Sequence, residues 1–181
     1  DATDTKIEDG KEKHPSVITA KGNDYKTGNP SIKSWLSGKE QIDDLLALDG
    51  REKLVNNVRI AFQTPVNVKW DKKDDLTEVC PYTFEDALIF TNLELFRQEG
   101  LKKMGTITTI ANLLKHSNSA NELQNKIFKK LESKSGFQKA DFAISLLYKD
   151  DFVDLVAPVY IQEGLEWMKS YLDSNGNRNG E

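Results

Sequence analysis

The sequence predicts an α/β protein in which helices dominate, and three observations carry that prediction. Residues 57–63, NVRIAFQ, alternate: Val58, Ile60 and Phe62 point one way, Arg59, Ala61 and Gln63 the other. That period of two marks a half-buried strand. Thr83-Phe84-Glu85-Asp86 opens a long apolar run with capping-box spacing. From residue 106 to Leu172, apolar residues recur mostly at helical intervals. With 181 residues, 38% hydrophobic and 30% charged, the chain can bury one good core, as one domain or a tightly joined pair.

Residues 1–16 are polar, with Gly10 and Pro15, and read as a loop. SVITA (16–20) is β-prone and reads as a short strand. Turn formers fill 21–30. Asn29-Pro30 is a helix start, because Asn caps and Pro suits the first helical position. Trp35, Leu36, Ile42, Leu45, Leu46 and Leu48 then share a stripe, with a break near Gly38 and a stop by Gly50. Pro65 ends the alternating strand, and 69–81, rich in charge, reads as an exposed connector.

Beyond Thr83, the residues Ala87–Phe90, Leu93, Leu95 and Phe96 are apolar on nearly all sides, which predicts a buried helix. Residues 106–115 put Ile107, Ile110, Ala111 and Leu114 on one face. Ser119 caps a helix whose Leu123, Ile127 and Leu131 repeat every four residues, and Gly136 ends it. In 139–148, Ala140, Ala143, Ile144 and Leu147 share a face. After Pro158, the stripe Ile161, Leu165, Met168 and Leu172 predicts a docked amphipathic helix, with Trp167 as a further anchor.

Net charge is −4, so charge alone does not make this a general nucleic-acid binder. Lys126, Lys129, Lys130, Lys134 and Lys139 cluster, a pattern expected of solvated helix faces. The single cysteine, Cys80, excludes a disulfide framework and points to a reducing compartment, the cytoplasm; it reads as a small, inert thiol, the alternative being a nucleophile with a partnered base nearby. His14 and His116 stand far apart, without cysteine pairs, so zinc has no ligand set. No apolar run of about 18 residues exists to span a membrane, and no signal peptide opens the chain. The first residue is Asp1 rather than Met, which reads as a processed product or a piece of something longer. Neither a GxGxxG nor a P-loop pattern occurs.

Two residues have more than one reading. Asp86 is explained by the capping box. Glu85 gains only the helix-dipole term, about 0.3–1 kcal/mol. It is either a first-turn acid or a functional acid held at the rim of a rigid core. Lys139 opens its helix, where the dipole opposes a cation. It is either a solvated surface lysine or a cation placed for another purpose.

TGNPSIKSWLSGKEQIDDLLAL (27–48), NVRIAFQTP (57–65), YTFEDALIFTN (82–92), KADFAISLLY (139–148) and PVYIQEGLEWM (158–168) together resemble, in order and spacing, the C-terminal part of the OLD-family (overcoming lysogenization defect) nucleases. These join an ATPase to a Toprim nuclease domain and include the Gabija-type defence nucleases. The resemblance covers most of residues 17–172. It implies a partial Toprim core with appended C-terminal helices: 1–100 as Toprim core lacking its N-terminal part, 101–172 as a helical portion of the same nuclease domain, and 173–181 as a disordered tail.

The resemblance also implies metal-dependent cleavage or nicking of DNA, set in anti-phage defence. Acidic residues of such sites hold Mg²⁺ or Mn²⁺, which neutralise charge built up during phosphodiester hydrolysis. Glu85 matches the family's acid in the TFED segment, a metal ligand. Lys139 matches the lysine opening KxxFA, a cation for the developing phosphate charge. DATD (1–4) resembles a start at the second acid of the family's Asp-x-Asp, which makes Asp1 a metal ligand and Asp4 its neighbour; a frayed polar terminus is the alternative. Tyr82 stands where the family usually has arginine. Implied partners are DNA, the ATPase domain of the same protein, a second copy in a homo-oligomer and a helicase-like protein. The alternative reading is a non-catalytic assembly or docking domain. A primase- or topoisomerase-like Toprim would be a third, and no nucleophilic tyrosine is marked for it.

Overall fold

The computed structural model describes residues 2–98, 105–133, 137–147 and 154–176. The protein is mixed α/β and helix-rich, as expected. In chain order the strands are β1 (Ala2–Thr3), β2 (Lys6–Glu8), β3 (Lys11–Lys13), β4 (Ser16–Val17), β5 (Lys26–Thr27), β6 (Leu54–Val55), β7 (Val58–Arg59), β8 (Val66–Lys69) and β9 (Leu76–Val79). The helices are α1 (Pro30–Trp35), α2 (Ile42–Ala47), α3 (Phe84–Thr91), α4 (Leu93–Arg97), α5 (Gly105–Lys115), α6 (Ala120–Glu132), α7 (Lys139–Leu147) and α8 (Val159–Gly176). Two compact units divide them. The first comprises Asp1–Val17, Lys21–Thr64 and Ala157–Glu181; the second comprises Ile18–Ala20 and Pro65–Val156.

In the first unit, β4, β1 and β5 form an antiparallel sheet centred on β1, with Ala2 paired to both Val17 and Thr27. The polar start of the chain is therefore not a loop: it also contains the β2–β3 hairpin, turned at Asp9 and Gly10. Both turn residues have positive φ (53° and 72°), the backbone of a type I′ turn, which Asp-Gly favours. Asn29 caps α1 as expected, its side chain accepting from the amides of Ser31 (2.9 Å) and Ile32 (3.1 Å). Leu36, Leu45, Leu48 and Phe62 form the core, with Ile32, Val55 and Ile60 packed against it. The alternating segment 57–63 joins a ladder only at Val58–Arg59, in a hairpin with β6 turned at Asn56.

Helix α8 is rotated away from the orientation its stripe predicts. Tyr160 is buried, and Ile161, Gly164, Trp167 and Tyr171 are half-buried, whereas Leu165, Met168 and Leu172 are exposed. The cause lies on the other side of the helix. Gly164 lets it approach Ala61, where an added Cβ would stand 3.6 Å away. Glu163 pairs with Arg59 at 3.6 Å, and Trp167 stacks on Tyr171 at 5.3 Å. The helix continues through Asp173–Gly176, four residues of the expected disordered tail.

In the second unit, the expected connector 69–81 is largely a hairpin. Strands β8 and β9 pair antiparallel, Val66 with Val79 and Val68 with Thr77. Val68, Trp70, Val79 and Cys80 are buried. The charged run supplies only the turn, closed by Asp71 and Asp74. The hairpin packs with α3, α5 and α6 around Leu88, Ile89, Ile107, Ile110, Leu123 and Ile127, all nearly or fully buried. Ser119 caps α6, accepting from the Glu122 amide at 3.2 Å.

The apolar run after Thr83 is two helices, not one. Asn92 breaks it. Its Nδ2 donates to Leu88 O and to Val156 O (both 2.8 Å), and its Oδ1 accepts from the Val156 amide at 2.7 Å. Helix α7, like α8, presents a face other than its aliphatic one. Phe142 and Ser145 are buried, while Ile144 and Leu147 are exposed. Phe142 sits between Phe96 (6.2 Å) and Phe137 (5.3 Å), and that aromatic contact sets the rotation. Gly136 and Lys134 lie outside the described residues.

Candidate functional site

The site begins with a cap. Thr83 and Asp86 form the expected capping box at the start of α3. Asp86 is 1% exposed. Its carboxylate accepts from the amides of Tyr82 (2.7 Å) and Thr83 (2.6 Å) and from the Thr83 hydroxyl (3.1 Å). Burial pushes its pKa up to about 6, against those hydrogen bonds, which favour the charged form. Asp86 is thus fully engaged in holding the helix start.

That frame fixes Glu85 on the first turn. Its Oε2 is buried and makes no hydrogen bond. Lys139 Nζ stands 3.1 Å from this oxygen, outside hydrogen-bond alignment, so charge alone holds the contact. The Glu85 side chain is 12% exposed and that of Lys139 56%. The carboxylate therefore sits at the edge of the core, and the ammonium reaches past it into solvent. Two residues far apart in sequence, singled out for chemistry, are neighbours within one unit.

Lys139 owes its place to α7. Asp141 Oδ2 accepts from the Thr106 amide at 2.6 Å, at the start of α5, and Gln138 O accepts from the Thr106 hydroxyl at 3.2 Å. The hydrogen bonds that Thr106 donates to it, from the amide first and the hydroxyl second, hold the Asp141 carboxyl below its ordinary pKa. Gly105 makes the contact possible. Its φ is +49°, and an added Cβ would fall 2.1 Å from Asp141 Oδ2. Next to the cap, the Tyr82 hydroxyl donates to Glu132 at 3.0 Å, and its ring meets Phe128 edge-on at 5.0 Å. Asp141 and Glu132 were not legible as site neighbours: each acts on a residue far away in sequence, and no spacing announces that.

Of the other candidates, Asp1 lies outside the described residues. Asp4 belongs to the first unit, where its Oδ1 accepts from the Thr5 amide at 2.8 Å. Among the described residues, no three His, Cys, Asp or Glu side chains cluster to hold a metal ion. Glu85 brings one carboxylate to the site, its Oε2 buried against the Lys139 ammonium, and the described residues supply no full set of donors for a hard divalent ion.

The Lys-rich stretch largely reads as predicted. Lys126 pairs with Glu122 at 2.7 Å, and Lys129 and Lys130 are exposed. A hollow of about 770 Å³ lies elsewhere on the same unit, lined by Trp70, Lys72, Asp74, Glu94 and Arg97 among others. Its Arg97 lies 4.2 Å over the Trp70 ring and pairs with Glu94 at 2.9 Å. Among the described residues, no helix is long and apolar enough to cross a membrane.

The chain is 26% identical, over 150 residues, to endonuclease GajA of Bacillus cereus (strain HuB5-5). That match takes in 81% of this chain and 20% of the endonuclease, so the chain spans about a fifth of that relative's length. No family model matches the chain, and no solved structure does.

Proposed function

We propose that this chain is part of a DNA endonuclease that hydrolyses phosphodiester bonds, with Glu85 and Lys139 on its reacting face. The observation that supports it is the 3.1 Å approach of these two side chains, in a chain similar to part of an endonuclease. The exposed Lys139 ammonium is suited to meet a phosphate oxygen and to offset charge that develops on it. Glu85, held rigidly by the Asp86 cap, orients that ammonium through Oε2, and it can serve a metal cation only once Lys139 has swung off that oxygen. A Mg²⁺ or Mn²⁺ ion bound there would neutralise phosphate charge and acidify an attacking water. Control by an ATPase domain, a helicase-like partner and a role in phage defence belong to the same proposal, by resemblance.

A second reading is favoured by the same pair. A buried carboxylate and a half-exposed lysine make a complete structural ion pair, which suits a docking domain without catalysis. Plasmid nicking in Mn²⁺ or Mg²⁺ separates the two. On the catalytic reading, Lys139→Ala and Glu85→Ala each lower the nicking rate by about 10²-fold or more, while a cooperative thermal melt shows the second unit still folded. Nicking that survives both changes refutes the assignment.

A further inference from the structure

We propose that the first unit carries a pocket for a purine base, adenine in particular, between α1 and residues 58–63. The inference uses residues of the first unit alone and is independent of the nuclease reading. The pocket encloses about 330 Å³, at the lower end of the range of small-ligand sites, about 300–1,000 Å³. Ile32 and Trp35, neighbours on one face of α1, line one side, and Val58, Ile60 and Phe62 line the other. Phe62 is buried, whereas Trp35 and Val58 are 42 and 40% exposed. The pocket therefore has an apolar floor and an open mouth with an indole beside it.

The lining decides the class of occupant. In a chain with 30% charged residues, none of the nine that line this pocket is charged. A charged ligand group would lose its water there and gain no counter-charge. Polar groups come from Asn29, Ser31 and Gln63. Asn29 Oδ1 is already used in the α1 cap. The half-buried Gln63 carboxamide makes no hydrogen bond among the described residues.

An aliphatic occupant would strip water from that carboxamide and leave its donor and acceptor unpaired. A flat ring with a donor beside an acceptor returns both hydrogen bonds, while its face stacks on Trp35. Adenine has such an edge, with the N6 amino group beside N7, and a glutamine carboxamide pairs with both at once. Guanine presents two acceptors on that edge, O6 and N7, and meets the carboxamide with one hydrogen bond only. A phosphate attached to the base gains nothing from this lining and stays outside the mouth. The base can belong to a free nucleoside or to an unpaired stretch of a strand, and the two are separable.

Nuclear magnetic resonance of the tryptophan indole N–H signals in the 181-residue chain, titrated with adenosine, tests the proposal. The expected result is a saturable shift of the Trp35 signal, with Trp70 unmoved, at a dissociation constant of about 0.1–1 mM, as suits a small ligand in an open pocket. Guanosine binds about tenfold more weakly, and AMP no more tightly than adenosine. Trp35→Ala and Gln63→Leu each weaken adenosine binding about tenfold in calorimetry, with unchanged circular dichroism. Tighter binding of single-stranded oligodeoxyadenylate, per base, assigns the pocket to an unpaired strand; equal or weaker binding assigns it to the free nucleoside. A Trp35 signal unmoved by about 10 mM adenosine and by the strand, or binding that survives Trp35→Ala, overturns the proposal. Guanosine bound as tightly as adenosine, or indifference to Gln63→Leu, overturns the choice of adenine.

Discussion

Replacing Asp86 by asparagine tests which force governs the start of α3. The carboxyl is buried, and its pKa is raised from 3.8 to about 6. That difference penalises the charged form by about 3 kcal/mol. Because the folded-state value is the higher one, the folded protein binds more protons than the unfolded chain between these two pH values. Stability from this group is complete below about pH 4 and is lost as pH rises through about 6. The Asp86→Asn variant cannot titrate there, and every other carboxyl is common to both proteins. The stability of the parent relative to the variant should therefore fall by about 3 kcal/mol between pH 4 and pH 7. Urea unfolding read by Trp70 fluorescence measures this, in a background where Trp35 and Trp167 are phenylalanine, since Trp70 lies in the unit that contains Asp86. If the difference instead grows with pH, the hydrogen bonds from Tyr82 and Thr83 outweigh burial, and the reasoning fails. A flat difference refutes it equally.

Glu85→Gln, Lys139→Met and the double variant should give a coupling energy of about 0.2–1 kcal/mol in thermal unfolding, because one partner is largely exposed; a much larger coupling would make the pair a structural keystone. Asn92→Ala leaves the Val156 amide and carbonyl without their partner and should cost about 2–3 kcal/mol, seen as faster hydrogen exchange at Val156. Gly105→Ala forces a side chain onto positive φ, at about 1–2 kcal/mol, and also displaces the Asp141 carboxylate. Its NMR signature should be a shifted Thr106 amide, and an unmoved Thr106 resonance would count against that contact.

Local chemistry was readable in the sequence. Asn29-Pro30, Thr83 with Asp86, and Ser119 each announce a helix start through groups within three residues, and each is where expected. The faces of α5 and α6 followed from periodicity, since nothing competes with their aliphatic stripes. Helices α7 and α8 did not follow. In α7 the contact of Phe142 with Phe96 and Phe137 and the tie of Asp141 to Thr106, and in α8 the approach of Gly164 to Ala61 and the tie of Glu163 to Arg59, outweighed the aliphatic stripe and turned the helix. The β8–β9 hairpin was hidden because its charged run reads as solvated, although 71–75 is only the turn between valine-bearing strands. The Asp9-Gly10 turn was a legible signal passed over in a polar stretch. Glu85 and Lys139 were each odd on local grounds, and only the family resemblance joined them; their meeting is tertiary, and no spacing encodes it.

Asn92 has a kinetic consequence. Its latch onto Val156 joins positions 64 residues apart. By chain statistics, closing so long a loop costs roughly 4 kcal/mol of entropy before any contact repays it. Such a clasp should form after the folding barrier has been crossed. Removing it should then hasten unfolding far more than it slows folding, so that the latch governs how long the second unit stays folded rather than how quickly it gets there.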